Sequence, residues 1–350
     1  MSKMYLDDVC LPESSNIAQK DLTDKDGQFP IYGASGLISH VNFYRQECEY
    51  IAVVKDGAGI GRVFLLPSYS SVIGTMQYIL PKSNIDVRYL YFAMQFMNLA
   101  KYYSGSTIPH IYFKNYKHEP INLPPLEKQR EIAATLDTIE QAEDNLKQQT
   151  THLDELVKSQ FIEMFGDPVT NPMGWEVRAI GELTTDVKYG TSAKASDAGK
   201  YKYLRMNNLT YDGGVDLSDL KYIDMSDDEL EKYVVRKGDI LFNRTNSIEL
   251  VGKTALFDID EDMIIAGYII RVRLQKEVSP VFFTRFMNLE HMKMQLQAMA
   301  KGAVNQANIN AQEMKSIGVY LPPLTLQNRF AAFVEQVDKS KLVSQILAKI

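Results

Sequence analysis

Hydrophobic and polar residues follow two different periodicities along the chain. Short runs rich in β-branched and aromatic residues predict strands at Glu49–Val54, Arg62–Leu66, Met76–Leu80, Asp239–Phe242 and Ile264–Leu274. Turn signals such as Asp56-Gly57 separate these runs. Helical spacing of apolar residues predicts helices at Val87–Tyr103 and Pro280–Ala300. The pattern therefore predicts an α+β (mixed α/β) fold, in which two regions each combine strands with later helices.

A much longer helical pattern lies between these two regions. From Glu127 to Phe165 the chain has no Pro or Gly, and a helix of these 39 residues would be about 58 Å long. Its apolar heptad positions are Leu136, Ile139, Leu146, Leu153, Val157 and Met164. A second helix is predicted from Thr325 onward, with Phe330, Val334 and Val337 at matching positions. We expect the two helices to pack antiparallel, like a coiled coil.

An internal repeat organises the whole chain. Residues 123–134 read LPPLEKQREIAA and residues 321–332 read LPPLTLQNRFAA, at an offset of 198. Ile111, Lys117 and Ile121 face Ile309, Lys315 and Val319 at the same offset. The two prolines form a stiff extended connector before each helix. The repeat predicts a first module at 1–122, a connector and long helix at 123–165, a second module at 166–322 and a C-terminal helix at 323–350.

Charge and cysteine content set limits on the class of protein. The 350 residues carry a net charge of −6, of which −5 lies in residues 123–165, while the modules carry 0 and −3. Near-neutral modules fit a DNA reader that shares its phosphate contacts with partners. Cys10 and Cys48 form no C-x-x-C pair, and neither a signal peptide nor a membrane-spanning run is evident. We therefore expect a soluble cytoplasmic protein.

Motifs that could carry catalysis are incomplete. The glycine-rich run at 57–62 precedes a predicted strand rather than the helix that a phosphate-binding loop needs. Gly252-Lys253-Thr254 imitates the end of a P-loop, but position 247, where the first glycine would fall, is Ser247. The five histidines show no metal-ligand spacing. No catalytic residue, cofactor or metal is therefore predicted.

Several polar segments carry side chains suited to DNA. Arg and Asn can pair bidentately with guanine and adenine edges, and loops on a rigid scaffold commonly carry recognition residues. Taken singly, each segment is more often a solvated loop. The candidates are Lys55, Arg62, Ser106, Thr107, His110, Lys114, Lys117, Lys188, Tyr189, Thr191, Ser192, Lys194, Arg205, Asn207, Asn208, Arg244, Asn246, Ser247, Asn305 and Gln306.

The repeated connector and helix give the chain a family resemblance. The junction FIEMFGDP (161–168), NPMGW (171–175) and IGEL (180–183), and the interior stretch KGDILFNR (237–244), resemble specificity subunits of type I restriction–modification systems. That resemblance implies two target-recognition domains, separated by two antiparallel helices, that each read half of a bipartite double-stranded DNA site. It also implies no activity of the chain's own, and assembly with two methyltransferase subunits and with restriction subunits.

Three other interpretations stay open. A specificity subunit of a type IIB-like restriction–modification system would have the same fold with different partners. A self-contained DNA methyltransferase or nuclease belongs to a different class and is disfavoured by the incomplete motifs. A structural coiled-coil protein is disfavoured because the modules make up most of the chain.

Overall fold

Two compact units make up the chain, Met1–Asp144 and Asn145–Ile350. The computed structural model describes residues 4–22, 27–105, 109–303 and 306–347. Each unit combines short strands with helices, which confirms the predicted mixed fold.

A four-stranded antiparallel sheet forms the centre of the first unit. The strands and helices are β1 (Met4–Tyr5), α1 (Leu6–Val9), β2 (Cys10–Ser14), β3 (Phe29–Gly33), β4 (Gly36–Val41), β5 (Tyr50–Val54), β6 (Val63–Leu66), β7 (Ser71–Val72), β8 (Met76–Pro81), α2 (Val87–Phe96), α3 (Phe113–Tyr116) and β9 (Pro120–Ile121). The central sheet has the order β2-β8-β5-β6, a second sheet has the order β4-β3-β7, and β1 pairs with β9. Every residue of β5 is buried, as expected for a continuous apolar run in the middle of a sheet.

The long helix α4 (Leu126–Phe165) begins in the first unit and ends in the second. The second unit continues with β10 (Val177–Ala179), β11 (Thr184–Tyr189), β12 (Tyr201–Leu204), β13 (Lys221–Ile223), α5 (Asp227–Tyr233), β14 (Val234–Val235), β15 (Ile240–Asn243), β16 (Thr245–Asn246), β17 (Thr254–Leu256), β18 (Met263–Ile265), β19 (Ile269–Leu274), α6 (Pro280–Met287), α7 (Glu290–Met299), β20 (Lys301–Ala303), β21 (Gln306–Asn308), α8 (Ala311–Lys315), β22 (Gly318–Tyr320) and α9 (Leu324–Leu347).

The sequence repeat is also a repeat of topology. The second unit has a four-stranded antiparallel sheet in the order β11-β19-β15-β17, which matches β2-β8-β5-β6 strand for strand. The short pair β10–β22 matches β1–β9 and joins the start of the module to its end. The second unit adds two further sheets, β13-β12-β18-β14 and β16-β21-β20.

The glutamine that follows each Pro-Pro connector fixes the connector to its module. In the first copy Gln129 is fully buried. Its Nε2 donates to the carbonyl oxygens of Pro124 at 2.8 Å and Asn84 at 3.2 Å. Its Oε1 accepts the N–H of Asp86 at 2.8 Å. Asp86 is the N-cap residue of α2, so one side chain holds the connector against the start of a module helix.

Gln327 repeats this arrangement in the second copy. It is also fully buried, and its Nε2 donates to the carbonyl oxygens of Pro322 at 2.7 Å and Glu277 at 3.2 Å. Its Oε1 accepts the N–H of Ser279, the N-cap residue of α6, at 2.8 Å. A buried polar side chain is tolerated here because its donors and its acceptor are all paired. The repeated Gln is therefore a structural residue in both copies.

Within the second unit, the end of α4 packs antiparallel to α9. Near the end of α4, the Phe161 and Phe330 ring centroids lie 5.4 Å apart. Further from that end, Asp154 accepts a hydrogen bond from Lys341 at 2.5 Å. The earlier residue of α4 thus contacts the later residue of α9. The two helices therefore run in opposite directions. The predicted antiparallel pairing is confirmed here.

Three predictions about secondary structure need correction. The predicted strand Ile264–Leu274 is two strands, because a turn closes where the N–H of Ile269 donates to the carbonyl of Ala266 at 2.8 Å. The predicted helix Pro280–Ala300 is α6 followed by α7. The predicted helix Val87–Tyr103 is α2 followed by a 3-10 helix at Leu99–Tyr102.

Candidate nucleic-acid interface

A cationic residue, Lys55, follows the central strand β5 of the first unit. The N–H of Lys55 donates to the carbonyl of Thr75 at 3.0 Å, and its own carbonyl accepts the N–H of Ile111 at 2.9 Å. The backbone of Lys55 is therefore held on both sides, by the turn before β8 and by the segment before α3.

Arg244 occupies the equivalent position in the second unit. It follows the central strand β15, its N–H donates to the carbonyl of Tyr268 at 3.0 Å, and its carbonyl accepts the N–H of Ile309 at 2.9 Å. Ile111 and Ile309 are paired by the sequence repeat and are both fully buried. The two modules thus present a cationic side chain at the same point of the same scaffold.

The chain returns from this point in the same way in both modules. Gly61 and Gly252 each have φ of +80°, a conformation that glycine adopts readily. Their N–H groups donate to the carbonyls of the last residues of β5 and β15, both at 2.8 Å. Arg62 and Lys253 follow them. The glycine-rich run and the Gly-Lys-Thr, both incomplete as phosphate-binding motifs, are therefore equivalent turns, each followed by a strand.

A cleft of about 510 Å³ opens beside Arg244 in the second unit. Five of the residues predicted to contact DNA line it, namely Thr191, Ser192, Arg205, Asn207 and Arg244. Tyr203 and Tyr268 also line it. These two tyrosines were missed because neither lies in a polar loop segment of the kind that predicts DNA contact.

Among the described residues, Arg244 contacts an aromatic ring and no carboxylate. Its guanidinium carbon lies 4.9 Å from the ring centroid of Tyr189, which is a cation–π contact. The Tyr189 hydroxyl accepts the N–H of Ala311 at 2.8 Å, so the ring is tied to the start of α8. The Arg244 Nε is buried and has no hydrogen-bond partner within the described residues.

Two adjacent asparagines in the loop after β12 differ in exposure. Asn207 is exposed at the cleft. Asn208 is only 2% exposed, and its Nδ2 donates to the carbonyls of Asp216 at 2.9 Å and Asp219 at 3.0 Å. The prediction that Asn208 contacts DNA therefore needs correction, because internal hydrogen bonds occupy its amide. Arg205 lines the cleft while its Nη2 donates to Asp219 Oδ2 at 2.7 Å.

The other candidates of the second module differ in exposure, as does Thr191 of the cleft. Lys188 and Lys194 are exposed, and Nζ of Lys188 lies 3.7 Å from Oδ1 of Asp186. Asn246 is half-buried and its Oδ1 accepts the N–H of Ser247 at 2.9 Å. Thr191 is 7% exposed, and its hydroxyl accepts the N–H of Ala193 at 3.1 Å. The two lysines are therefore the most accessible cations here.

In the first module, Lys55, Arg62 and His110 lie around the exit of β5. His110 Nδ1 lies 2.6 Å from Oδ1 of Asp56, the residue that follows Lys55. His110 therefore lies next to the exit of β5. Lys114 is exposed, and its amine lies 5.3 Å from the ring centroid of Tyr112.

Arg62 and Lys117 differ in their surroundings. Arg62 is exposed, and its Nε donates to the carbonyl of Gly59 at 3.3 Å within the same turn. Lys117 lies apart from the β5 exit, since its amine is 3.6 Å from Asp7, near the β1–β9 pair.

Four predicted residues lie wholly or partly outside the described part of the chain. Ser106, Thr107 and Asn305 lie outside the described residues, and only the backbone of Gln306 is described, in β21.

Lys253 is a residue whose role sequence reasoning missed. Its amine donates to the carbonyls of Met206 at 3.0 Å and Leu209 at 2.5 Å, and burial lowers its pKa. It therefore holds the loop that carries Arg205 and Asn207. The only signal in the sequence was the Gly-Lys-Thr motif, which suggested phosphate binding instead.

Metal and membrane sites find no support in the part of the chain that the structure describes. Those residues contain no cluster of three or more His, Cys, Asp or Glu that could hold a metal ion. They also contain no helix that is long and apolar enough to cross a membrane.

The scaffold is duplicated, with a cationic residue at the same point of each copy, and comparison with known families identifies the class to which it belongs. The model of the type I restriction modification DNA specificity domain matches the chain twice, over residues 1–155 and 172–350. The chain therefore belongs to the type I restriction–modification DNA specificity family.

Curated relatives include specificity subunits from archaea and bacteria. The putative type I restriction enzyme MjaX specificity subunit of Methanocaldococcus jannaschii is 30% identical over 172 residues, 48% of this chain and 40% of the relative. The type I restriction enzyme EcoKI specificity subunit of Escherichia coli K12 is 26% identical over 268 residues, 71% of this chain and 58% of the relative. The matches thus span about half of the length of these two relatives.

Solved structures show the same fold. The S subunit of a type I restriction–modification system from M. genitalium aligns with a TM-score of 0.66 at 15% identity, over 99% of this chain and 92% of that one. A chain from work on complex assembly and conformational transition of a type I R-M system aligns with a TM-score of 0.54 at 15% identity, over 99% of this chain and 92% of that one.

Proposed function

We propose that this chain is the DNA sequence-specificity subunit of a type I restriction–modification complex in the cytoplasm. Each of two modules, 1–122 and 166–322, reads one half of a bipartite double-stranded DNA target. The connector segments 123–165 and 323–350 supply the helices that join them. Two methyltransferase subunits and the restriction subunits carry out the chemistry.

The observation that carries this proposal is the duplicated scaffold with a cation at the same point of each copy. Lys55 and Arg244 each follow the central strand of their unit, and their backbones make equivalent hydrogen bonds. Each module also carries exposed cations, Lys114 in the first unit and Lys188 and Lys194 in the second. Exposed cations suit phosphates, whereas fixed cations and amides suit base edges. Two copies with different loops would read two different half-sites.

The long helix supports the division of labour. Residues 123–165 carry a net charge of −5, which is unfavourable beside DNA phosphates and favourable for contact with a protein partner. On α4, Ile139 is 50% exposed and Leu156 is 46% exposed. We therefore assign this helix to subunit assembly rather than to DNA.

The test is to produce the chain with its cognate methyltransferase subunit, and to sequence the methylated DNA. We expect an interrupted, asymmetric motif. Exchanging residues 1–122 for the corresponding module of another family member should change one half of the motif, and exchanging residues 166–322 should change the other. The chain alone, supplied with S-adenosylmethionine, is the control and should methylate nothing. A continuous motif, or methylation by the chain alone, would contradict the proposal.

A further inference from the structure

One arginine in the second module differs from all the others in its electrostatic surroundings. Each of the six other arginines between positions 166 and 322 has a carboxylate oxygen within 4 Å; they are Arg178, Arg205, Arg236, Arg271, Arg273 and Arg285. Arg244 has none among the described residues. Its Nε is buried without a partner, as are the Nε atoms of Arg205 and Arg271, but those two guanidiniums each have a carboxylate partner. A buried, unpaired guanidinium N–H is costly unless a ligand supplies an acceptor. Arg244 therefore has the properties of a ligand-binding residue.

The way in which Arg244 is held favours a planar ligand edge over a phosphate. Its guanidinium contacts the ring of Tyr189, and the hydroxyl of that tyrosine is itself hydrogen-bonded to Ala311. This contact restrains a rigid fork of donors beside the cleft, which suits two acceptors in one plane, such as O6 and N7 of guanine. A phosphate needs only a nearby positive charge, and exposed Lys188 and Lys194 already provide two.

Resting on the proposed function, we infer that Arg244 is the residue of the second module that reads a guanine, and that Lys55 is its counterpart in the first module. The two backbones have the same hydrogen bonds, and lysine can also contact guanine O6 and N7. Lys55 lies 4.0 Å from Asp56, so its charge is partly offset. The two positions are then the specificity-determining positions of the two half-sites.

The experiment uses the full chain with its methyltransferase and compares the methylated motifs of variants. Arg244→Ala should lower discrimination at one guanine of the second module's half-site by about 5- to 150-fold, the range for one bidentate pair. Arg244→Gln should shift that position towards adenine, because Gln pairs with adenine N6 and N7. Lys55→Ala should relax one position of the other half-site only. Module exchange identifies which half belongs to which module.

Two controls keep the inference open to refutation. Arg244→Met keeps an unbranched stem beside Tyr189, so it tests the guanidinium without removing the packing, and unchanged thermal unfolding verifies its fold. Lys188→Ala removes a nearby exposed charge and should weaken methylation of all sites alike without changing the motif. If the Arg244 variants leave the motif unchanged, or only weaken all sites as Lys188→Ala does, the inference is wrong although the proposed function stands. If the parent complex gives no interrupted motif, the proposed function fails as well.

Discussion

The buried Gln327, which holds the second connector against its module, gives a quantitative prediction about stability. Gln327→Ala removes three hydrogen bonds and leaves the carbonyls of Pro322 and Glu277 and the N–H of Ser279 buried without their partner. At about 0.5–1.5 kcal/mol for each bond, the free energy of unfolding of the second unit should fall by roughly 2–4 kcal/mol. Gln327→Glu should cost more at pH 7, because it places a carboxylate against two carbonyl oxygens.

Urea unfolding followed by tryptophan fluorescence measures this change. Trp175 is the single tryptophan of the chain and lies in the second unit, where its Nε1 donates to the carbonyl of Phe165 at 2.9 Å. Gln336→Ala is the matched control, because Gln336 is an exposed glutamine on the same helix α9. If Gln327→Ala lowers the free energy of unfolding by an amount within about 0.5 kcal/mol of that for the control, Gln327 does not stabilise the second unit as argued.

Three further predictions concern packing, titration and length. Phe161→Ala should lower the free energy of unfolding by about 3–5 kcal/mol, whereas Phe96→Ala, at a position 83% exposed, should change it little; similar urea midpoints would contradict the packing account. Burial, and then the charge of Lys158, lower the pKa of Lys293 to about 8, so the folded chain releases this proton more readily than the unfolded chain. The free energy of unfolding should therefore rise as the pH goes from about 8 to 10.5, and Lys293→Met should reduce that rise; parallel profiles would refute it. Inserting four residues within α4 adds about 6 Å of helix, so the methylated motif should gain one or two base pairs in its gap with both half-sites unchanged, and an unchanged gap at full activity would contradict this.

The connector and the helices could be predicted from the sequence because their signals are local. Two prolines and an uninterrupted run gave α4 to within one residue of its start. The heptad positions were less accurate. Ile139 is 50% exposed, while Phe161 and Phe165, which lie outside the predicted heptad, are buried against α6 and α9. The partner surface decides which face of a helix is buried, and the sequence pattern of the helix alone does not contain that surface.

The candidate site shows a similar limit at the level of single side chains. Asn207 and Asn208 are adjacent and chemically identical, yet one is exposed at the cleft and the other is bonded to residues 8 and 11 positions later. The hydrophobicity pattern also does not predict the break between β18 and β19, since apolar residues continue on both sides. That break places the carbonyl of Tyr268 where it accepts the N–H of Arg244. Such pairings depend on tertiary contacts and not on local composition.

The changing offset between the two copies shows where the modules differ. It is 189 at Lys55 and Arg244, 191 at the glycine turns, 193 at Thr75 and Tyr268, and 198 at Ile111 and Ile309. The helix caps, Asp86 and Ser279, keep the value of 193. The first two increases fall in the loops between the central strand and the turn before β8 or β19, and the third falls between the helix cap and the segment before α3 or α8. Candidate DNA contacts such as Asn246, Ser247 and His110 lie in these segments, whereas the hydrogen bonds that anchor the segments are the same in both copies. A constant scaffold with loops of different length is what two readers of different half-sites require.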